Sequence, residues 1–231
     1  MNKHYAIILA GGSGNRLKKA TPKAFLKLNQ LYILEYSLLS FSKNFHIDHI
    51  ILVVPQDYIG ICQDLIKEKN YKKYSTVLAG GISRFESSQI AINSIKEEHA
   101  RVLIHDAARP FVSQDIIDKC VEALKNVEAV NTIAPIADSI IKFKNGSIEK
   151  MIDRKNYRIT QTPQAFRLST IKKAQQQVNT SYLEDVTDDF NLVLANKSAR
   201  TSWVEGNTLN FKITYESDLL IAESIAKDLE Q

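Results

Sequence analysis

The chain has 231 residues, 44% hydrophobic and 24% charged, which is a composition able to bury a core and unlike that of a disordered polyelectrolyte. Its 30 Lys and Arg against 26 Asp and Glu leave a formal charge of +4, scattered as dyads such as Lys18-Lys19, Lys72-Lys73 and Lys172-Lys173. No basic tract marks a nucleic-acid surface, and no apolar run reaches the ~18 residues of a membrane span, so the expected partner is a small polyanion, with no nucleic acid and no membrane. The only cysteines, Cys62 and Cys120, lie in helix-like segments without a ligand at metal spacing, which fits core packing in a reducing, cytoplasmic compartment. Met1 to Tyr5 leads directly into an apolar strand, so no secretory leader is expected.

That strand, Tyr5 to Leu9, stops at Ala10 and Gly11, Gly12 and Gly14, with Arg16 and Lys23 following within one loop's reach. Glycines let backbone N–H groups approach an anion, and two isolated cations beside them complete a phosphate cradle. Neither the P-loop string nor the dinucleotide fingerprint fits: Gly-Lys-Ser/Thr is missing, and Leu17 stands where a third glycine is needed. The expected ligand is a di- or triphosphate.

Helical spacing then runs from Ile33 to Phe41, a buried strand from Ile50 to Val54, a helix from Asp57 to Lys69 and a short strand from Ser75 to Leu78. Gly80-Gly81 precedes Ser83, and Glu86 three residues on predicts a capping box, so a helix should start here with free N–H groups beside the glycines. Arg84 and Ser87 share one face of its first turn. A fourth strand, Val102 to His105, ends at Asp106-Ala107-Ala108-Arg109. Strand ends are where ligands bind in open α/β sheets, so Asp106 and Arg109 are candidates, whereas His105 reads as a packed, hydrogen-bonded histidine. Ser113 caps a helix over Ile116 to Leu124, and Val130 to Pro135 gives a fifth strand.

The alternation then breaks. Asp138 to Lys144 and Ser147 to Ile152 flank Asn145-Gly146, a strong hairpin signal. Poorly buried by itself, this excursion predicts an arm over residues 136–159 that packs on another subunit. Asp153-Arg154-Lys155 and Gln161 to Phe166 are polar strings without helix or strand period. A helix pair follows, with Thr187 as N-cap for Asp188 to Ala195 and with Asp188 and Asp189 as first-turn acids complementing the dipole. A last short strand lies between helix and tail, and a helix over Ser217 to Leu229 closes the chain. The expected architecture is α/β, a Rossmann-like three-layer, mostly parallel sheet, with residues 1–231 forming one domain and the β-arm protruding.

Taken in order, the glycine loop, Gly-Gly-x-x-Arg-x-x-Ser, His-Asp-Ala-Ala-Arg-Pro, Asp-Arg, Gln-Thr-Pro-Gln-x-Phe and Asn-x-Lys-x-Thr make the chain resemble the 2-C-methyl-D-erythritol 4-phosphate cytidylyltransferase family over essentially its whole length. Pentitol-phosphate cytidylyltransferases share most of these strings. The resemblance implies a nucleotidyltransferase-type fold and transfer of CMP from CTP to a sugar-alcohol phosphate, with Mg²⁺ bound mainly through the CTP phosphates. It implies that the backbone from Ala10 to Gly14 and Arg16 hold the triphosphate, that Lys23 neutralises the α-phosphate, and that Lys212 approaches the reacting phosphates. Gly81, Arg84 and Ser87 match cytosine and nucleotide contacts; Asp106 and Arg109 match the sugar-phosphate site, and Thr162 its polar loop. Asp138-Ser139 and Arg154 bound an arm that, in this family, crosses a homodimer into the partner's site. Ser139 departs from the threonine frequent in the family, and Phe190 from a smaller residue. Two other classes compete, a non-catalytic nucleotide-binding protein and a sugar transferase. The first would not need both lysines and Arg16; the second usually needs an Asp-x-Asp string, and His105-Asp106-Ala107-Ala108 lacks its partner acid.

Overall fold

Alternation with a period of two settles which side of the sheet each strand residue serves. In the computed structural model, which describes residues 2–11, 21–69, 71, 74–178, 188–195, 197 and 199–229, the first strand β1 spans His4–Leu9. Its Ala6 and Ile8 enter one apolar cluster and Tyr5, Ile7 and Leu9 another, so the strand is buried on both faces. A turn at Lys23–Phe25 and a small hairpin, β2 (Lys27–Leu28) with β3 (Leu31–Tyr32), lead to α1 (Ile33–Lys43). Then come β4 (His49–Val54), α2 (Ile59–Glu68), β5 (Tyr74–Ala79), α3 (Arg84–Ser94), β6 (Arg101–Asp106), α4 (Gln114–Ala123) and β7 (Ala129–Pro135). The remaining elements are β8 (Ile140–Lys144), β9 (Ser147–Ile152), β10 (Arg158–Arg167), α5 (Leu168–Gln176), α6 (Asp189–Ala195), β11 (Thr201–Glu205) and α7 (Glu216–Leu229).

The seven-stranded sheet has the order β11-β7-β10-β6-β1-β4-β5, parallel throughout except for β10. Helices α1, α2 and α4 cover one face and α3, α5 and α6 the other, the expected three layers. A third cluster joins Leu28, Ile33 and Tyr36 to Leu219, Ala222 and Ala226 of α7 and to Ile213. From β1 the chain moves outward through β4 to β5 and then returns to place β6 on the other side of β1. That reversal opens a crevice at the carboxyl ends of β1 and β6, where Leu9 pairs in register with Asp106.

One polar string read as irregular is a strand. Gln161 to Phe166 lies inside β10, sandwiched between β6 and β7. Its strand character is hidden because buried Gln161, Thr162 and Gln164 meet protein partners in place of water. Gln161 Nε2 donates to Asn207 O at 3.0 Å, and Gln164 Oε1 accepts from Phe190 N at 3.1 Å. Pro163, which cannot donate to a ladder, sits where the pairing with β7 shifts register between Gln161 and Ala165. The string from Asp153 is a tight turn, its start capped by Asp153 Oδ1 on Lys155 N.

The hairpin is present as read. Among the described residues β8 and β9 pair only with each other, and the turn places Asn145 and Gly146 at φ of 51° and 80°, the left-handed region that Asn-Gly favours. Ile141, Phe143, Ile148 and Met151 of this arm are exposed.

Candidate active site at the strand ends

Three loops converge on the crevice. Ala10 is anchored after β1 by its N–H donating to Val53 O at 2.8 Å, and Gly11 follows at the mouth. Gly12, Gly14 and Arg16 lie outside the described residues. Opposite them, α3 starts at Ser83, whose hydroxyl accepts from Glu86 N at 3.1 Å. The Glu86 carboxylate closes the turn on Ile82 N at 2.8 Å in place of the Ser83 N–H of a full capping box. Gly81 must lack a Cβ, which would collide with the Glu86 side chain. Ser87 is buried; its Oγ donates to Ser83 O at 2.9 Å and accepts from Gly81 N at 3.2 Å. A Cβ on Gly11 would lie 3.6 Å from that same Oγ, so the glycine loop and the start of α3 adjoin.

Arg84 crosses from α3 to the end of β6. Its Nε donates to Asp106 Oδ1 at 3.0 Å, while Lys212 Nζ donates to Asp106 Oδ2 at 2.7 Å. Burial alone would raise the Asp106 carboxyl, but the adjacent Arg84 and Lys212 outweigh it and hold it well below the usual carboxylate range. Burial likewise works against the Arg84 charge, and Asp106 with Asp189 more than restores it. Lys212 is delivered by the segment after β11. Ile213 N donates to Ala108 O at 2.9 Å, Asn210 Nδ2 donates to Thr162 O at 2.8 Å, and Arg109 donates through one terminal nitrogen to Asn210 O at 2.9 Å. Lys23 Nζ donates to Ile213 O at 2.5 Å, which places its ammonium at the carbonyl of the residue after Lys212 although 190 residues separate Lys23 from Ile213. Arg109 is therefore placed inward, where it fastens the Lys212 segment to the sheet; its other terminal nitrogen donates to Thr160 O at 3.4 Å.

His105 underlies this floor as expected of a packed histidine. Nε2 lies 2.9 Å from Arg109 O, and Nδ1 lies 3.0 Å from Thr162 Oγ1, which itself accepts from Asp106 N at 3.1 Å. The threonine proton is thus directed to Nδ1, and the ring's own proton sits on Nε2, a neutral imidazole. Burial pushes its pKa down from 6.5 to about 4. A base that is harder to protonate when folded contributes stability that is complete above pH ~6.5 and is lost as pH falls toward ~4. His105→Asn is expected to destabilise the protein at pH 7 and to carry a penalty about 2 kcal/mol smaller at pH 5, measured by chemical denaturation. An equal penalty at both pH values contradicts this.

Of the residues expected at the site, the structure gathers Ala10, Gly11, Lys23, Gly81, Arg84, Ser87, Asp106, Arg109, Thr162 and Lys212 around the crevice. Ser139 and Arg154 stand apart at the exposed base of the arm, where Arg154 donates to Ala137 O, and neither is hydrogen-bonded to the Asp106 cluster. Two expectations concern the start of α6. Thr187 lies outside the described residues; Asn191 N is capped by Asp188 Oδ1 at 2.9 Å. Asp189 is a first-turn acid, as expected, but it is also buried and accepts from an Arg84 terminal nitrogen at 2.6 Å, reaching Arg84 across 105 residues of sequence, a separation that no local pattern reveals.

The crevice therefore gathers Gly11, the start of α3, one charge-locked carboxylate and two lysines, an arrangement suited to polyphosphate chemistry. Comparison with known proteins agrees. The chain is 35% identical over 230 residues to the 2-C-methyl-D-erythritol 4-phosphate cytidylyltransferase of Clostridium botulinum (strain Okra / Type B1), covering 99% of this chain and 100% of that one. It is 33% identical over 228 residues to the bifunctional ribulose 5-phosphate reductase/CDP-ribitol pyrophosphorylase Bcs1 of Haemophilus influenzae, covering 97% of this chain but only 48% of that longer protein. The 4-diphosphocytidyl-2C-methyl-D-erythritol synthase structure from Anaerococcus prevotii DSM 20548 superposes with a TM-score of 0.84 at 27% identity, covering 98% of this chain and 96% of that one. The IspD model matches residues 4–228, and the chain belongs to that family, the 2-C-methyl-D-erythritol 4-phosphate cytidylyltransferases.

Proposed function

We propose that this cytidylyltransferase moves CMP from CTP to 2-C-methyl-D-erythritol 4-phosphate, giving the CDP-alcohol and pyrophosphate. The observation that carries the reading is that one segment carries Lys212, bonded to Asp106, and receives the Lys23 ammonium at the next carbonyl, Ile213 O. A phosphate nucleophile is already anionic at pH 7, so the reaction asks for alignment and charge stabilisation and no general base. An oxygen of the acceptor phosphate attacks the α-phosphorus in line, and the bond to the β-phosphate bridging oxygen breaks as pyrophosphate leaves. Negative charge grows on the α-phosphoryl oxygens, where Lys23 and Lys212 would donate, with Arg16 and the Ala10–Gly14 backbone on the triphosphate. Gly81, Arg84 and Ser87 would frame the nucleoside, and Asp106 the acceptor side, with Arg109 and Thr162 supporting it from beneath.

The donor set fits a Mg²⁺ ion carried by the nucleotide. Among the described residues no group of three or more His, Cys, Asp or Glu side chains could cage an ion. Asp189 is closed off at 1% side-chain exposure, while Asp106 at 12% has both oxygens engaged by cations. When bound, the ion would neutralise triphosphate charge, held through the phosphate oxygens.

The exposed apolar residues of β8 and β9 support a homodimer in which the arm packs on a second copy and brings Ser139 and Arg154 to its partner's site. Among the described residues no helix is long and apolar enough to cross a membrane, and a cytoplasmic location is the reading that goes with buried free Cys62 and Cys120. The likeness to the Haemophilus protein favours a second acceptor, ribitol 5-phosphate. Pyrophosphate release with CTP and each acceptor in parallel decides between them. A clear preference for methylerythritol phosphate is expected, and a preference for ribitol phosphate would overturn the choice of acceptor while leaving the nucleotide site roles intact.

A further inference from the structure

The family motifs account for Arg84 and Asp106 but not for what lies behind them. Asp189 is 1% exposed, and both of its oxygens are engaged: Oδ2 accepts from Arg84 at 2.6 Å and Oδ1 from Ser88 Oγ at 2.6 Å. Buried Gln175 donates to that same Ser88 hydroxyl at 3.2 Å, so α3, α5 and α6 converge on one carboxylate. A carboxylate closed off in this way is tolerated only with its cation in place. The result is an alternating line, Asp189, Arg84, Asp106, Lys212, that runs from the interior to a lysine 40% exposed at the crevice.

We infer that Asp189 is a positioning residue for nucleotidyl transfer: by fixing the Arg84 guanidinium between two carboxylates, it sets where Asp106 presents its second oxygen and hence where Lys212 stands. An Arg84 held by Asp106 alone would keep several rotamers, and the carboxylate–lysine pair would share that freedom. Two fixed ends remove it. The α6 end is itself fastened, since Phe190 N donates to Gln164 of β10.

The inference rests on the transfer reading above, and its test separates the two. Asp189→Asn keeps volume and one acceptor but removes the charge. It is expected to lower kcat about 10-fold or more while KM for CTP stays within about 3-fold. In an Arg84→Met background the same substitution should cost under about 2-fold, because it has nothing left to position. A packing role would instead give equal losses in both backgrounds. Wild-type kcat in folded Asp189→Asn, or multiplicative losses in the double variant, overturns the inference. If Asp189→Asn does not fold, Ser88→Ala, which removes one of the hydrogen bonds to Asp189, takes its place in the same cycle. If the wild-type chain releases no pyrophosphate, the transfer reading has failed. The positioning role is then read by comparing the Arg84 and Lys212 side chains in crystal structures of the wild type and Asp189→Asn, where unchanged side chains overturn it.

Discussion

Lys212→Ala is expected to lower kcat by roughly 10²- to 10³-fold, the effect of deleting one donor to a developing charge, with the melting temperature nearly unchanged. The fold survives because Lys212 is not what holds its segment. Ile213 is bonded to Ala108, and Asn210 to Thr162 and to Arg109, whichever side chain residue 212 carries. Asp106 also keeps Arg84 as counter-ion, so no charge is left buried and unpaired. Lys23→Ala is expected to fall in the same range, since its ammonium reaches the carbonyl next to Lys212. Because the two act on one group, the double variant should lose less than the product of the single losses. Steady-state pyrophosphate release reads all three, and near-normal turnover in either single variant contradicts the assignment.

The second large effect is recovery. Arg154→Ala and Lys23→Ala, each inactive by itself, are expected to regain about a quarter of wild-type activity when mixed and allowed to exchange subunits, because half the dimers are mixed and each then holds one intact site. The expectation comes from the arm. Arg154 sits at its base, away from the Asp106 cluster of its own chain, while Ile141, Phe143, Ile148 and Met151 expose apolar surface that an arm paired only with itself cannot cover. Subunit exchange is verified with differently tagged copies. No recovery after verified exchange contradicts an arm that works in trans.

The sequence is a good guide where one local signal decides the outcome. Apolar runs mark β1, β4 and β6, Asn145-Gly146 marks the arm's turn, and Ser83 marks the start of α3. It misleads where a partner far along the chain decides. Gln161, Thr162 and Gln164 look like a loop because nothing local shows that Asn207, Asn210 and Phe190 will satisfy them inside the sheet. Asp189 reads only as a first-turn acid because Arg84 lies 105 residues away. Lys23 and Lys212 are each visible as isolated cations, but their meeting depends on the segment that Arg109 and Asn210 fasten. The start of α3 is thus legible from glycines and caps, while the ion-pair line behind Asp106 is a product of the fold.

The measurement that tests the account most directly is a single incubation of the purified protein with CTP, Mg²⁺ and 2-C-methyl-D-erythritol 4-phosphate, followed for pyrophosphate and for the CDP-alcohol by mass spectrometry. Pyrophosphate and CDP-methylerythritol appearing in equal amounts, and only when the acceptor is present, is the predicted result. Release of inorganic phosphate in place of pyrophosphate, or no acceptor-dependent product at all, would contradict in-line transfer at the α-phosphorus and with it the roles given to Lys23 and Lys212.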